Sequence, residues 1–311
     1  MKPPAFIQMD LDGVWAIRRC YGLPEDRFLE NDPVYEEGVP RFLDLLQVRK
    51  IPASFFVVGR DAKIPKKVET ICRILKAGHE IGNHSYEHTL GLTKLSVEEI
   101  RKDIAEAQSA IRGAIEQSGF GAEHRPVGFR APGYDADSRV LKILCGLGFS
   151  YDASLFPSWW GFIMRRIDAY LSGPYARKKK QYGSFKNGFE SLKPHPLSRA
   201  SGLYELPVSV TPVFRLPFHF GIAAMRGFDY FRQAADGYRK RNVPLLYLFH
   251  GIDLVETRGL ALLPSSRGAV FFQIPIEQRA ALAQKILDFI QDNFEILRAR
   301  DWIEAILKNN S

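Results

Sequence analysis

An alternation constrains this chain more than any other feature. Apolar runs too short for helices are separated by longer stretches with helical spacing. Runs at Ala5–Asp10, Ala53–Val58, His79–His84, Val127–Arg130, Phe149–Ala153, Leu203–Val210 and Leu245–His250 read as strands, with a last short one at Phe294–Arg298. Between them, Arg41–Arg49, Pro65–Lys76, Ser96–Ile115, Asp137–Leu147, Phe228–Arg239 and Glu277–Asp292 carry helical periodicity. Ser96 followed by Glu98 and Glu99 is an N-terminal helix signature, and Asp137 is a plausible cap. Strands that alternate with helices imply a parallel sheet with helical crossovers. Seven or eight such units with no linker between them predict one domain over residues 1–311, a single deformed parallel (β/α) barrel. The rhythm breaks after the fifth strand, so residues of about 157–200 are expected to form an insertion.

The 311 residues are 46% apolar and 25% charged, which excludes disorder, collagen and coiled coil. Cys20, Cys72 and Cys145 are far apart and form no Cys-x-x-Cys, so neither a disulfide framework nor a cysteine zinc site is expected. The first residues lack the apolar core of a secretory signal, and no run has the roughly 18 apolar residues of a membrane span. A reduced cytoplasmic protein is the expectation.

In a parallel barrel, catalytic groups sit at the carboxyl ends of the strands. Five predicted strands end in, or contain, side chains suited to metal binding or acid–base chemistry. They supply Asp10-Leu11-Asp12-Gly13, His84-Ser85-Tyr86-Glu87-His88, Arg130-Ala131-Pro132-Gly133-Tyr134, Asp152, and His250-Gly251-Ile252-Asp253. His84 and His88, four apart, can turn both rings the same way. Two imidazoles and one carboxylate form a common set for a divalent metal with open positions. Asp10 and Asp12 share a face if the strand continues, and two carboxylates that close need a metal or an arginine between them. One is expected to be a metal ligand and the other a general base. Zinc is the expected ion for an Asp/His/His set.

These motifs, in this order from Ala5 to Asp253, resemble the polysaccharide deacetylase family, the NodB-homology domains of carbohydrate esterase family four. The Met9-Asp10-Leu11-Asp12-Gly13 run is similar to the Asp-x-Asp variant of the family's divergent branches. The resemblance implies a metal held by Asp12, His84 and His88. It implies Asp10 as general base, Arg130 as its partner, His250 as general acid and Asp152 as a supporting residue. Gly133 and Tyr134 would line the substrate site, and a backbone N–H there would face the oxyanion. Ser85 is expected to play a supporting part, and Asp253 to stand in the pocket wall. His79, His124, His195 and His219 fit no ligand pattern and are expected to be solvent-facing or core polar groups.

Net charge is +8, and residues 161–200 carry nine basic against two acidic residues, so +7 of it is local. Trp159, Trp160, Phe162, Tyr170, Tyr175, Tyr182 and Phe185 interleave with that basic run. Trp159 and Trp160 are the expected substrate-side aromatics. Rings beside cations suit an anionic lipid surface, and the run Arg177-Lys178-Lys179-Lys180 suits a phosphate. No nucleic-acid motif accompanies the charge. The sequence therefore reads as an N-deacetylase of an amino sugar, carried on a polyprenyl phosphate at the inner face of the membrane. The other readings are a deacetylase of a soluble or cell-wall glycan, a small-amide hydrolase of the same fold, and a non-catalytic glycan-binding module.

Overall fold

The computed structural model describes residues 2–161, 163, 183, 185–198, 202–258, 260 and 270–309. The strands are β1 (Pro4–Leu11), β2 (Ser54–Val57), β3 (Glu80–Asn83), β4 (Gly128–Phe129), β5 (Tyr151–Asp152), β6 (His195–Ser198), β7 (Leu203–Glu205), β8 (Leu245–His250) and β9 (Glu295–Ile296). They form one sheet in the order β6-β7-β5-β4-β3-β2-β1-β8, with β9 pairing to the start of β1. Every pairing between these strands is parallel except β6 with β7. The sheet curls into a half-barrel surrounded by helices. It is open between β6 and β8 among the described residues, so the barrel of β–α units is deformed and incomplete.

Strand β1 shows why the sheet faces as it does. Ala5, Ile7, Met9 and Leu11 belong to the large outer core. Phe6 turns inward onto Phe56, Leu246 and Leu248. Period-2 alternation puts Gln8 and Asp10 on the same inner face as Phe6. The register pairs Asp10 with Phe56 of β2 and with His250 of β8, so chemistry carried at the ends of β1 and β8 converges.

The helices are α1 (Val14–Cys20), α2 (Val39–Arg49), α3 (Pro65–Lys76), α4 (Val97–Gln117), α5 (Ser138–Gly146), α6 (Phe220–Arg226), α7 (Phe228–Lys240), α8 (Ile276–Asn293) and α9 (Ala299–Asn309). Ser96 caps α4 in a reciprocal box with Glu99, and Asp137 caps α5 through the Arg139 and Val140 amides. Helix α9 runs under the barrel, where Trp302 meets Phe6 edge-on at 5.4 Å.

The structure adds to or corrects several sequence expectations. Asp12-Gly13 leads directly into α1, because Val14, Trp15 and Ala16 find a buried seat. The Leu203–Val210 run keeps only three residues in strand, since Leu206 and Val208 turn into the barrel core. The Phe294–Arg298 run yields two strand residues before α9 begins. Strand β6 inside the expected insertion, and α6, carried no periodic signal. Most of the basic aromatic stretch, including the Arg177–Lys180 run, lies outside the described residues.

Candidate active site

The two histidines arrive by way of a strained turn. His84 follows β3; Ser85 and His88 both sit at positive φ, 61° and 50°. A non-glycine residue there costs on the order of 1 kcal/mol, so other contacts must hold the loop. Asp103, on the buried stripe of α4, accepts from the Tyr86 and Glu87 amides at 3.0 and 3.1 Å. Asn83 accepts from the Ser85 amide, and Ser85 Oγ accepts from the His88 amide at 3.1 Å. Ser85 thus shapes the loop that carries both histidines. Asp103 was missed, although an acid on the Ile100/Ile104/Ala107 stripe of a helix was the available signal.

The turn brings His84 Nε2 and His88 Nε2 to 3.1 and 3.0 Å from Asp12 Oδ1. One ligand atom from each residue lies within 4.8 Å of the others. His84 Nδ1 is 2.7 Å from the Arg130 carbonyl, an acceptor, which assigns its proton to Nδ1 and leaves the Nε2 lone pair facing Asp12. Asp12 Oδ1 is buried and has no aligned hydrogen-bond partner. Two acceptors facing each other around an orphaned oxygen suit a divalent cation, so this donor set fits a metal. Burial opposes charge on Asp12, but His88 and His84 outweigh it and hold the carboxyl well below its usual range. Burial likewise opposes charge on His88, but Asp12 and then Cys20 raise it well above the usual histidine value.

Asp10 lies beside this cluster, 3% exposed. Arg130, fully buried, donates from Nη1 to Asp10 Oδ1 at 2.7 Å and from Nε to the Ala153 carbonyl at 2.9 Å. Its Nη2 donates to Gln8 Oε1, and its guanidinium lies 4.5 Å from the Phe56 ring centroid. Four fixed partners leave that arginine one pose, and the pose holds Asp10.

His250 ends β8. Its backbone N–H donates to Asp253 Oδ2 at 2.8 Å, while its ring accepts from the Asp253 amide. Burial raises Asp253 to about 6, with His250 opposing the shift. Asp253 therefore stands behind His250 and is not in the cleft wall. Tyr134, at φ 61°, stacks on Phe156 with centroids 5.0 Å apart. Its N–H donates to the Ala131 carbonyl at 3.0 Å, so that amide is already occupied and does not serve an oxyanion.

A cleft of about 210 Å³ gathers Asp10, Asp12, His84, His88, Gly133, Tyr134 and His250. Arg130 stands directly behind Asp10. Three of the sequence-predicted site residues fall elsewhere. Asp152 is in register with Glu205, and Ser154 Oγ donates to it at 2.5 Å. Burial of this carboxyl pair raises both groups, Glu205 the further, so the two hold a proton away from the cleft. Trp159 packs toward Phe189 at 5.8 Å, and Trp160 Nε1 donates to the Phe214 carbonyl at 2.9 Å. Neither tryptophan lines the cleft. Conversely, Cys20, Tyr21, Leu90 and His219 do line it, without any signal in their spacing.

A second charged group underlies the Asp12 turn. Lys67 Nζ, 1% exposed, donates to Asp32 Oδ2 at 2.8 Å and Asp61 Oδ1 at 2.7 Å. Asp32 Oδ1 accepts from the Val14 amide and Asp61 Oδ1 from the Trp15 indole. Gly13 is required between them: a Cβ there would lie 2.5 Å from Asp32 Oδ2.

Comparison with known proteins follows the same lines. Residues 28–151 match the family model described as polysaccharide deacetylase. Over 71 residues the chain is 45% identical to a peptidoglycan-N-acetylmuramic acid deacetylase of Bacillus subtilis, covering 23% of this chain and 15% of that one. It is 30% identical over 118 residues to a peptidoglycan-N-acetylglucosamine deacetylase of Bacillus cereus (38% and 49%). It is 32% identical over 97 residues to a chitooligosaccharide deacetylase of Sinorhizobium fredii (31% and 42%). The matches thus span half or less of these relatives' own lengths. A solved structure from Mycobacterium smegmatis, named as a polysaccharide deacetylase, superposes over 99% of this chain and 92% of its own with TM-score 0.61 at 21% identity. One from Pseudomonas aeruginosa, similarly named, does so over 97% and 89% with TM-score 0.60 at 16%. These two establish a shared fold.

Proposed function

From a chain that bears the signature and the fold of the polysaccharide deacetylase family, we propose a metal-dependent hydrolase that removes an N-acyl group from an amino sugar. The observation that carries this reading is the convergence in one cleft of Asp10, Asp12, His84, His88 and His250, with Arg130 fixed behind Asp10. Asp12, His84 and His88 would hold the ion, with zinc the proposed metal. When bound, the ion supplies Lewis-acid polarisation of the scissile carbonyl. Asp10 takes the proton of the attacking water, and Arg130 keeps its carboxylate oriented toward that proton. His250 donates to the departing amine, and the Asp253 amide on its ring fixes which nitrogen carries the proton. The relatives named as peptidoglycan and chitooligosaccharide deacetylases support an N-acetylated sugar as substrate.

For the finer identity we propose a sugar carried on a polyprenyl phosphate and met at the cytoplasmic face of an anionic membrane. Support comes from the sequence charge at residues 161–200 and from Phe185, Phe189, Val213 and Phe214, which are 57%, 72%, 60% and 68% exposed. Trp160 ties the Phe214 backbone to the loop after Phe156, and Phe156 stacks on the cleft residue Tyr134, which links the segment carrying Phe214 to the cleft wall. Among the described residues no helix is long and apolar enough to cross a membrane. Mass-spectrometric acyl loss from zinc-loaded protein offered a lipid-linked and a soluble N-acetylated sugar together tests both levels. Loss only from the lipid-linked compound upholds both. Loss only from the soluble one keeps the chemistry and refutes the lipid carrier. Loss from neither sinks the hydrolase reading.

A further inference from the structure

His219 carries no signal in the sequence and has no assigned part in the chemistry above, yet it stands in the cleft wall facing His250, with ring centroids 5.8 Å apart. Its backbone is the cap of α6, and the buried Phe218 and Phe220 on either side anchor it. Its Nδ1 is buried and has no hydrogen-bond partner. The ring packs over Gly221, where a Cβ would come within 3.2 Å of Cε1 and 3.4 Å of Nδ1, so a larger residue at 221 would crowd the ring. Since Nδ1 is shut away, the cleft-lining part of the ring is the remainder, which includes Nε2.

Two consequences follow for the ring's proton. A charged imidazolium would bury an Nδ1–H with nothing to accept it, at a cost of about 1–3 kcal/mol for one unsatisfied donor. The neutral form with its proton on Nδ1 carries the same defect. The neutral form with its proton on Nε2 leaves only an acceptor lone pair buried, which is the smaller penalty. Burial, with His250 adding to it, pushes His219 down to about 3, in the same direction. A ring with its proton on Nε2 cannot ligate a metal there, and His219 stands outside the Asp12/His84/His88 group. It can donate one hydrogen bond into the cleft.

We propose that His219 is a substrate-binding residue whose Nε2–H donates to an oxygen acceptor of the sugar unit held beside His250. The inference rests on the amino-sugar reading of the cleft. It gives the two histidines separate tasks: His250 exchanges a proton, while His219 stays neutral and positions a hydroxyl or ring oxygen.

The test uses the full chain labelled with ¹⁵N-histidine and loaded with zinc. Long-range ¹⁵N–¹H spectra from pH 5 to 8 are expected to show one imidazole, absent in His219→Phe, that stays neutral with its proton on Nε2. Titration in that range, or a proton on Nδ1, overturns the proposal. With tetra-N-acetylchitotetraose as probe, His219→Phe is expected to raise KM about tenfold, the scale of one lost neutral hydrogen bond, with kcat nearly unchanged. His219→Gln, whose amide N–H reaches where Nε2 stands, is expected to recover most of that loss. A Phe variant with unaltered KM, or a fall confined to kcat, refutes the binding role. If the wild type releases no acetate from this probe, the deacetylase reading of it fails separately. The His219 Nε2 resonance then decides: a shift on adding the oligosaccharide upholds the inference, and an unmoved resonance overturns it.

Discussion

Replacing Lys67 by Met removes the single ammonium that binds both Asp32 and Asp61, at 2.8 and 2.7 Å, in a site where all three side chains are at most 1% exposed. The methionine fills similar volume, so the loss is electrostatic. Two carboxylates cannot stay charged and unpaired there, and at least one must take up a proton on folding. For a carboxyl of unfolded pKa about 3.9, that uptake costs about 5–6 kcal/mol at pH 8 and about 3 kcal/mol at pH 6, at 1.36 kcal/mol per unit. These values bracket the 3–5 kcal/mol typical of a broken buried pair. The wild-type Asp32, raised by burial to about 6 with Lys67 opposing the shift, is half ionised at pH 6 and mostly ionised from pH 7 to 8, so above pH 7 the pH slope belongs mainly to the variant. Urea unfolding of both proteins at pH 6, 7 and 8 measures the deficit. A gap below about 1 kcal/mol, or one that does not narrow as the pH falls, refutes the reasoning. Because Asp32 and Asp61 hold the Val14 amide and the Trp15 indole, the variant is also expected to bind zinc more weakly through a displaced Asp12.

Other consequences are as concrete. Arg130→Met leaves Asp10 buried without its cation; it is expected to cost about 3–5 kcal/mol in denaturant unfolding and to abolish acyl release, with Arg130→Lys intermediate. Asp253, raised by burial to about 6, favours its protonated form in the fold, so its stabilising effect is present below pH 4 and lost as the pH rises through 6. The stability of the wild type relative to Asp253→Asn is therefore expected to fall by about 3 kcal/mol between pH 4 and pH 7.5, and a constant difference would contradict the assignment. Ser96→Ala removes half of the α4 capping box and is expected to lower stability by about 1 kcal/mol without altering zinc affinity.

The residues differ in how far sequence reveals them. Strand ends were legible because alternation fixes which face a residue takes. Met9 and Leu11 needed the outer core, so Asp10 had to point inward with Phe6. The histidine turn was legible because its two rings sit within one short segment. The Asp32–Lys67–Asp61 group was not, because its members come from three segments and each alone reads as an ordinary surface charge. Lys67 did carry a faint signal, one helical turn before Thr70 and Ile71 on the buried face of α3. Asp152, expected as a supporting residue, was legible as an acid on a short strand, but the carboxyl it pairs with was not. Its in-register partner Glu205 sits on a strand separated from it in sequence by the insertion. His219 was discounted because spacing finds metal ligands, whereas the cleft uses it singly.

The most direct test of the central account measures acyl release and bound zinc together, in the wild type and in Asp10→Asn, with peptidoglycan, a chitooligosaccharide and a polyprenyl-phosphate-linked N-acetylated sugar offered in parallel. The account predicts one zinc per chain in both proteins, acyl release from at least one substrate by the wild type, and release reduced at least a hundredfold by Asp10→Asn. Equal release by the two proteins, or zinc lost along with the Asp10 carboxylate, would contradict the division of labour between Asp10 and Asp12 on which the account stands.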